Sequence, residues 1–297
     1  MTSPVAIGRD RKGRKPALII LATVLGPLIQ EIDSMVVGVS LPHMQGTFNA
    51  APDQISWVLT SFLIGVAVAM PATGPISSIF GRKRVLIWAI IGFTITSVLA
   101  GLSGSLTQMV PIRFVQGVFS AALTPLSMST LLSAFHRKDH GLALGWWGVG
   151  IMIAPVIGPT LGALIAEHFT WRGVFFFNVP LGLFACAVIS AYVPETEDLN
   201  VPVFSYSGFL MIAFSVGSLQ YILDQGEQLD WFDAGKIIVA ALIAGIAFYG
   251  FILNSLFSRN PFLNLNVFKD RNFCAGLLLK VLLSIILVSI VALLPPF

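Results

Sequence analysis

Long apolar runs broken by short polar ones set the pattern of this chain. An α-helix rises 1.5 Å per residue, so about 20 apolar residues cross a hydrocarbon core of about 30 Å. Nine stretches meet that length, at residues 17–42, 54–79, 85–103, 106–135, 141–166, 171–193, 205–224, 235–258 and 272–297. Each predicts a membrane-spanning helix. The runs lack the period-two alternation of a membrane barrel, and a backbone in lipid must satisfy its polar groups internally, so strands are not expected. The run that starts at Ala17 follows a basic N-terminus but continues to Leu41. That is longer than the roughly 7 to 15 apolar residues of a secretory signal, which predicts an uncleaved first helix. The uncharged run from Val281 to Phe297 has no polar tail. It predicts a chain that stops within, or at the end of, a spanning element, as a piece of a longer protein does.

Composition agrees with the pattern. Of 297 residues, 56% are hydrophobic and 10% charged, against about a quarter charged in soluble domains. Mean hydropathy is +0.88. A soluble enzyme, a disordered chain and a nucleic-acid-binding module are excluded as the main reading. The net charge of +3 is explained by where the cations fall. Arg9, Arg11, Lys12, Arg14 and Lys15, then Arg82, Lys83, Arg84, Arg137, Lys138, Arg259, Lys269 and Arg271, all lie on one side of the predicted membrane. By the excess of Lys and Arg on cytoplasmic loops, that side and the N-terminus are cytoplasmic. The inner loop with Glu195, Glu197 and Asp198 has no base, but acidic residues weigh little in topology. Trp57, Trp146, Trp147, Trp171 and Trp231 fall near span ends and read as interfacial anchors.

Ionisable groups within hydrocarbon are costly and ask for a partner or a function. Four occur: Glu31 and Asp33 in the first span, Arg113 in the fourth and Lys280 in the ninth. Asp33 lies nine residues before Pro42 and Arg113 seven after Leu106. The two therefore sit about 13 and 10 Å below the same ends of antiparallel helices and share a layer. Such a pair is either a proton-sensitive switch or a structural ion pair that orients two helices. Gln30, Asp33 and Val37 share one helix face, and Glu31 shares another with Ser34, Met35 and Gly38. Glu31 is either a second titratable site or a group buried at a helix contact. Lys280 either faces a water-filled cavity or snorkels to an interface.

In the fifth span, Gly150, Ala154, Gly158 and Gly162 recur every four residues, with Pro155 and Pro159 among them. The small residues make a smooth face and the prolines favour a bend. This is either tight helix packing or a seam that seals one bundle against another. Between spans two and three, Gly74 to Arg84 reads as a loop in which Gly74 and Gly81 permit a tight turn and Arg82, Lys83 and Arg84 anchor the cytoplasmic face. His136 and His140 flank Arg137 and Lys138 and read as solvated. Cys186 and Cys274 sit in apolar runs as small hydrophobes. No phosphate loop, HExxH, CxxC or nucleophile elbow occurs, so no metal, cofactor or enzymatic role is expected.

Taken in order, these features resemble the major facilitator superfamily, and within it the fourteen-helix drug:proton antiporters of the EmrB/QacA kind. The likeness rests on Gln30, Asp33, Val39, Leu41 and Pro42 in the first span and on Asp53 to Thr60 at the entry to the second. It continues with Arg113, Gln116 and Gly117 in the fourth, Gly150 to Gly162 in the fifth and Trp171 to Pro180 at the start of the sixth. One departure stands out. The family's loop between helices two and three carries an acidic residue where this chain has Ser78, and often a basic one at Ile79, whereas Gly74, Gly81, Arg82 and Lys83 match.

The resemblance implies an all-α membrane protein with the major facilitator fold. Residues 1–16 would be a basic cytoplasmic tail, 17–198 an N-terminal six-helix bundle, 199–260 an extra helix pair linking the bundles, and 261–297 the incomplete start of the C-terminal bundle. It implies proton-coupled export of hydrophobic or amphipathic compounds from the cell (inner) membrane, without a cofactor. Asp33 and Arg113 would handle the proton. Gln30, Glu31, Gln116 and Lys280 would be cavity or second titratable positions. Its partners would be a small hydrophobic substrate, protons and lipid, with a periplasmic adaptor if the source is Gram-negative. Export of one metabolite, siderophore or peptide on the same fold, and a non-transporting truncated product, are the competing expectations.

Overall fold

The computed structural model describes residues 16–193, 204–258, 261–263 and 265–293. The basic tail through Lys15, the acidic residues Glu195, Glu197 and Asp198, Arg259, and the domain boundaries near 198 and 260 lie outside the described residues. No strand occurs among the described residues. The first span is α1 (Pro16–Phe48) and the second is α2 (Pro52–Ile55), α3 (Trp57–Ala69) and α4 (Thr73–Phe80). The third is α5 (Arg82–Leu102) and the fourth is α6 (Leu106–Ser120) with α7 (Leu123–Ala134). Then come α8 (His140–Phe169), α9 (Arg172–Tyr192), the pair α10 (Tyr206–Gln225) and α11 (Gly235–Phe257), and α12 (Arg271–Leu293). Among the described residues, eight of these stretches are long and apolar enough to cross a membrane by length and composition.

Six spans pack into one bundle through the pairs α1 with α8, α3 with α6, and α5 with α9. Two apolar clusters fill it. Leu25, Ile29, Phe62, Leu86, Phe93 and Leu123 pack toward the end that carries Arg82–Arg84, Arg137 and Lys138, here termed the basic end. Val36, Met44, Val58, Met109, Trp171 and Phe175 pack toward the other. The crossing of α3 and α6 is set by two glycines. A Cβ on Gly65 would meet Phe114 O at 2.2 Å, and one on Gly117 would meet Phe62 O at 2.1 Å. Only glycine lets the two backbones touch there.

Three expectations are corrected. The first helix does not end at Pro42 but runs to Phe48, because Met44, fully buried, carries the packing face onward. The segment expected as a loop from Gly74 is helix as far as Phe80; Gly81 alone makes the turn, at φ 87°. Pro75 is tolerated there because it falls in the first turn of α4, whose N–H groups have no intrahelical acceptor. The tryptophans do more than anchor: Trp171 is buried and donates to Thr47 Oγ1 at 2.9 Å, Trp147 donates to Thr23 O at 3.2 Å, and Trp57 packs on Tyr221.

The extra pair α10–α11 docks on α3. Asp224 accepts from Thr60 Oγ1, and Gln225 Nε2 donates to the same hydroxyl at 3.0 Å. Gly217 sits against Val68, and a Cβ there would be 2.8 Å from its Cγ2. Packing at Gly217, the Trp57–Tyr221 contact and the polar clasp hold the pair to the second span.

Candidate functional site

The structure brings Asp33 and Arg113 together in the middle of the bundle. Arg113 Nη1 donates to Asp33 Oδ2 at 2.8 Å, and both side chains are fully buried. Each element contributes for a local reason. The close α3–α6 approach puts Val58 O within 3.2 Å of Arg113 Nε, and Phe62 lies under the guanidinium at 4.3 Å. Gln116, one turn beyond Arg113, accepts from Nη1 at 2.7 Å and reaches Asp33 Oδ1 at 3.4 Å.

The second carboxylate oxygen is held from α9. Asn178 Nδ2 donates to Asp33 Oδ1 at 2.6 Å and to Ser97 Oγ at 2.9 Å, while Ser97 donates to Phe175 O at 2.9 Å. Sequence reasoning missed Asn178 and Ser97 as site residues. The signal was present: Asn178 lies seven residues after Trp171, about 10 Å deep by the arithmetic that placed Arg113. The result is a carboxylate with three donors and a guanidinium with three acceptors, all from different helical turns. Removing one member of such a buried network leaves the others unpaired and costs several kcal/mol.

The remaining candidate residues sit elsewhere. Gln30 is half-buried and accepts from Thr124 Oγ1 at 3.4 Å. Glu31, also half-buried, faces away from Asp33 and takes no part in the network. Lys280 is exposed on α12 and does not join the centre. Ser78 Oγ bonds back to Gly74 O at 3.2 Å within α4, Gly74 is exposed, and Lys83 Nζ caps the last turn of α9 through Ser190 O at 2.8 Å. Arg82 is half-buried beside Gly81.

The small-residue stripe faces α1, inside the same bundle. A Cβ on Gly150 would be 2.7 Å from Val24 Cγ1, one on Gly158 2.7 Å from Met35 Cβ, and one on Gly162 3.1 Å from Val36 Cα, with Ala154 fully buried between them. Packing, not an inter-bundle seam, occupies that face. Half-buried Pro155 and exposed Pro159 lie beside it. The opposite face of α8, with Met152, Ile153 and Val156, is exposed.

Residues 23–297 match the sequence profile described as the Major Facilitator Superfamily. The chain belongs to the major facilitator superfamily. Among curated members of this superfamily it is 34% identical over 281 residues to the multidrug export protein EmrB of Haemophilus influenzae, covering 94% of this chain and 55% of that protein. To EmrB of Escherichia coli K12 it is 32% identical, covering 96% and 56%. To the fatty acid resistance protein FarB of Neisseria gonorrhoeae it is 33% identical, again covering 96% and 56%. The chain thus spans about half the length of these curated relatives. Solved superfamily structures share the fold. The proton:xylose symporter XylE, bound to 6-bromo-6-deoxy-D-glucose, aligns with a TM-score of 0.56 at 16% identity, over 86% of this chain and 56% of that one. The transporter PepTSo aligns with a TM-score of 0.56 at 15% identity, over 82% and 54%. This superfamily member is a multi-pass membrane protein.

Proposed function

We propose that this chain is the proton-handling half of a secondary transporter that exports hydrophobic or amphipathic compounds by alternating access. The observation that carries the reading is the Asp33–Arg113 pair, fully buried and clamped by Gln116 and Asn178. An ion pair of that cost in hydrocarbon asks for a function. The printed names of the curated relatives, two multidrug export proteins and a fatty acid resistance protein, support the substrate class. Residues 17–198 form the N-terminal bundle, 199–260 the extra pair and 261–297 the start of the second bundle. The cations at the basic end support a cytoplasmic position for that end and for the N-terminus, in a cell-membrane protein. In a Gram-negative source a periplasmic adaptor is the expected partner.

The physical cycle follows from the network. With Asp33 ionised, α1, α6 and α9 are held by one carboxylate. A proton on Oδ2 removes the attraction to Arg113 and leaves the α1–α6 contact weaker, so the bundle's energy depends on the proton bound. Substrate and proton then compete by stabilising opposite arrangements. The test is export of a lipophilic cation, driven by a pH gradient, by the chain joined to a complete second bundle in proteoliposomes. Asp33→Asn is expected to abolish gradient-driven accumulation while substrate binding persists. Undiminished accumulation would leave Asp33–Arg113 a structural pair.

A further inference from the structure

Asp33 is only 1% exposed, so a proton that reaches it needs a route through the bundle. Away from the basic end the route is closed by Val36, Val37, Met44, Val58 and Met109, all apolar and buried. Toward the basic end the fourth span offers a different surface. Gln116, Ser120, Thr124 and Ser127 follow Arg113 at intervals of three and four residues, and Thr130 continues the line. This spacing keeps them on one side of the α6–α7 span, across the turn at Ala121 and Ala122. Gln116, Ser120 and Ser127 are fully buried and Thr130 is 4% exposed.

Three of these hydroxyls lack the usual helical bond. Thr23, Ser34, Ser40, Thr94 and Thr96 donate to a carbonyl three or four residues earlier, whereas Ser61 and Ser255, isolated on other helices, do not. Ser120, Ser127 and Thr130 are buried and have no protein partner for their oxygens. A buried hydroxyl without a partner is costly, and water is its ordinary remedy in a polar channel. The facing helix α1 follows in antiparallel register. Gln30 meets Thr124, and Gly26 lies opposite Ser127, where a Cβ would come within 3.3 Å of Ser127 Oγ. A glycine there keeps room beside the hydroxyl. One helical turn past Thr130, Ala134 borders a cavity of about 770 Å³ that Ile19, Ile20, Phe135, His136 and Asp139 also line.

We propose that Ser120, Thr124, Ser127 and Thr130 form a hydrated proton conduit between Asp33 and this cavity. The proposal rests on the proton-coupling reading above and adds the path. Arg113 to Thr130 is 17 residues, about 26 Å, and successive hydroxyls are about 4.5 to 6 Å apart along the axis, a gap one water bridges. Protonated Asp33 gives its proton to the first water. Each water and hydroxyl then accepts one proton on oxygen while releasing another onward, so no member changes its net charge. The last proton leaves as hydronium into the water of the cavity, which His136 and Asp139 border. Gln116 positions Asp33 and does not carry the proton. Other charged groups near the path are Arg113 at its start and His140, bonded to Phe135 O at 3.1 Å, at its end; Glu31 is on another face of α1.

The test is the rate at which Asp33 takes up a proton after a rapid pH drop. The purified chain in liposomes is followed by time-resolved infrared absorption of the protonated carboxyl, with Asp33→Asn identifying the band. The triple variant Ser120→Ala, Ser127→Ala, Thr130→Val should slow the band's appearance at least about tenfold with its final amplitude unchanged. Gly26→Val should slow it similarly, and Ser127→Thr with Thr130→Ser should keep the original rate. Removing the two unpartnered serine hydroxyls and replacing that of Thr130 by a methyl group is expected to preserve folding. An unchanged rate in the triple variant overturns the conduit. An Asp33 that stays ionised throughout overturns both the conduit and the coupling. If Asp33→Asn transports normally but the triple variant is still slow, the coupling role falls and the path stands.

Discussion

Alanine at Gly117 tests the geometry on which the buried centre depends. Its Cβ would lie 2.1 Å from Phe62 O and 3.1 Å from Val66 N, where ordinary contact begins at 3.4 Å. Relief requires α3 and α6 to part by about 1.3 Å. Overpacking of that kind costs about 1 to 3 kcal/mol. The same movement withdraws Val58 O from Arg113 Nε, now 3.2 Å away, and a hydrogen bond to a charged group contributes about 1.5 to 3 kcal/mol. Alanine's helix preference returns about 1 kcal/mol, which leaves a net loss of about 1.5 to 5 kcal/mol. Gly38→Ala supplies the control, because nothing lies within 4 Å of its Cβ position. It gains the helix preference without a clash. Thermal unfolding in detergent, followed by tryptophan fluorescence, should lower the Gly117→Ala midpoint by about 3 to 10 °C and leave Gly38→Ala unchanged or slightly raised. Equal midpoints for the two variants would refute the backbone contact as the element that positions Arg113.

Asn178→Leu removes the 2.6 Å donor to Asp33 and should lower stability by about 2 kcal/mol; in a double-mutant cycle with Asp33→Asn the losses should be less than additive. Additive losses would mean that the contact is not energetic. Thr60→Val breaks the clasp to Asp224 and Gln225, and spin-label distances between α3 and α10 should broaden at the Trp57–Tyr221 end. Lys83→Met removes the cap on α9, and hydrogen exchange over residues 188–192 should quicken with little change in global stability, about 0.3 to 1 kcal/mol. Gly81→Ala forces a side chain into φ 87° and should destabilise by about 1 to 3 kcal/mol, visible in the same thermal assay.

The order of the spans was legible because a helix that crosses lipid must be apolar over a fixed length, whatever it packs on. The Asp33–Arg113 contact was legible for a related reason: two charges in apolar spans have few partners, and 1.5 Å per residue placed them at one depth. Asn178 and Ser97 were not found, since small neutral polar side chains are common in such helices and usually bond their own backbone. Only the rotation of α5 and α9 aims Asn178 at Asp33 and Ser97 at Asn178. The stripe from Gly150 to Gly162 announced a close helix contact, but spacing on one helix does not name its partner, and α1 occupies the face. The tryptophans misled because residues at a span end can also lie between helices, as Trp171 does against Phe48 and Thr47. Gly74-Pro75 read as a turn because both residues favour turns; in α4 the proline takes a first-turn position where its missing N–H is harmless.

The central claim is that Asp33 carries the proton exchanged for substrate. Its most direct measurement is proton release into weakly buffered solution when a lipophilic cation is added to the detergent-solubilised protein containing both bundles. The account predicts about one proton released per cation bound in the wild type and none in Asp33→Asn, with cation binding retained in both. Release of the same amount by Asp33→Asn would contradict it.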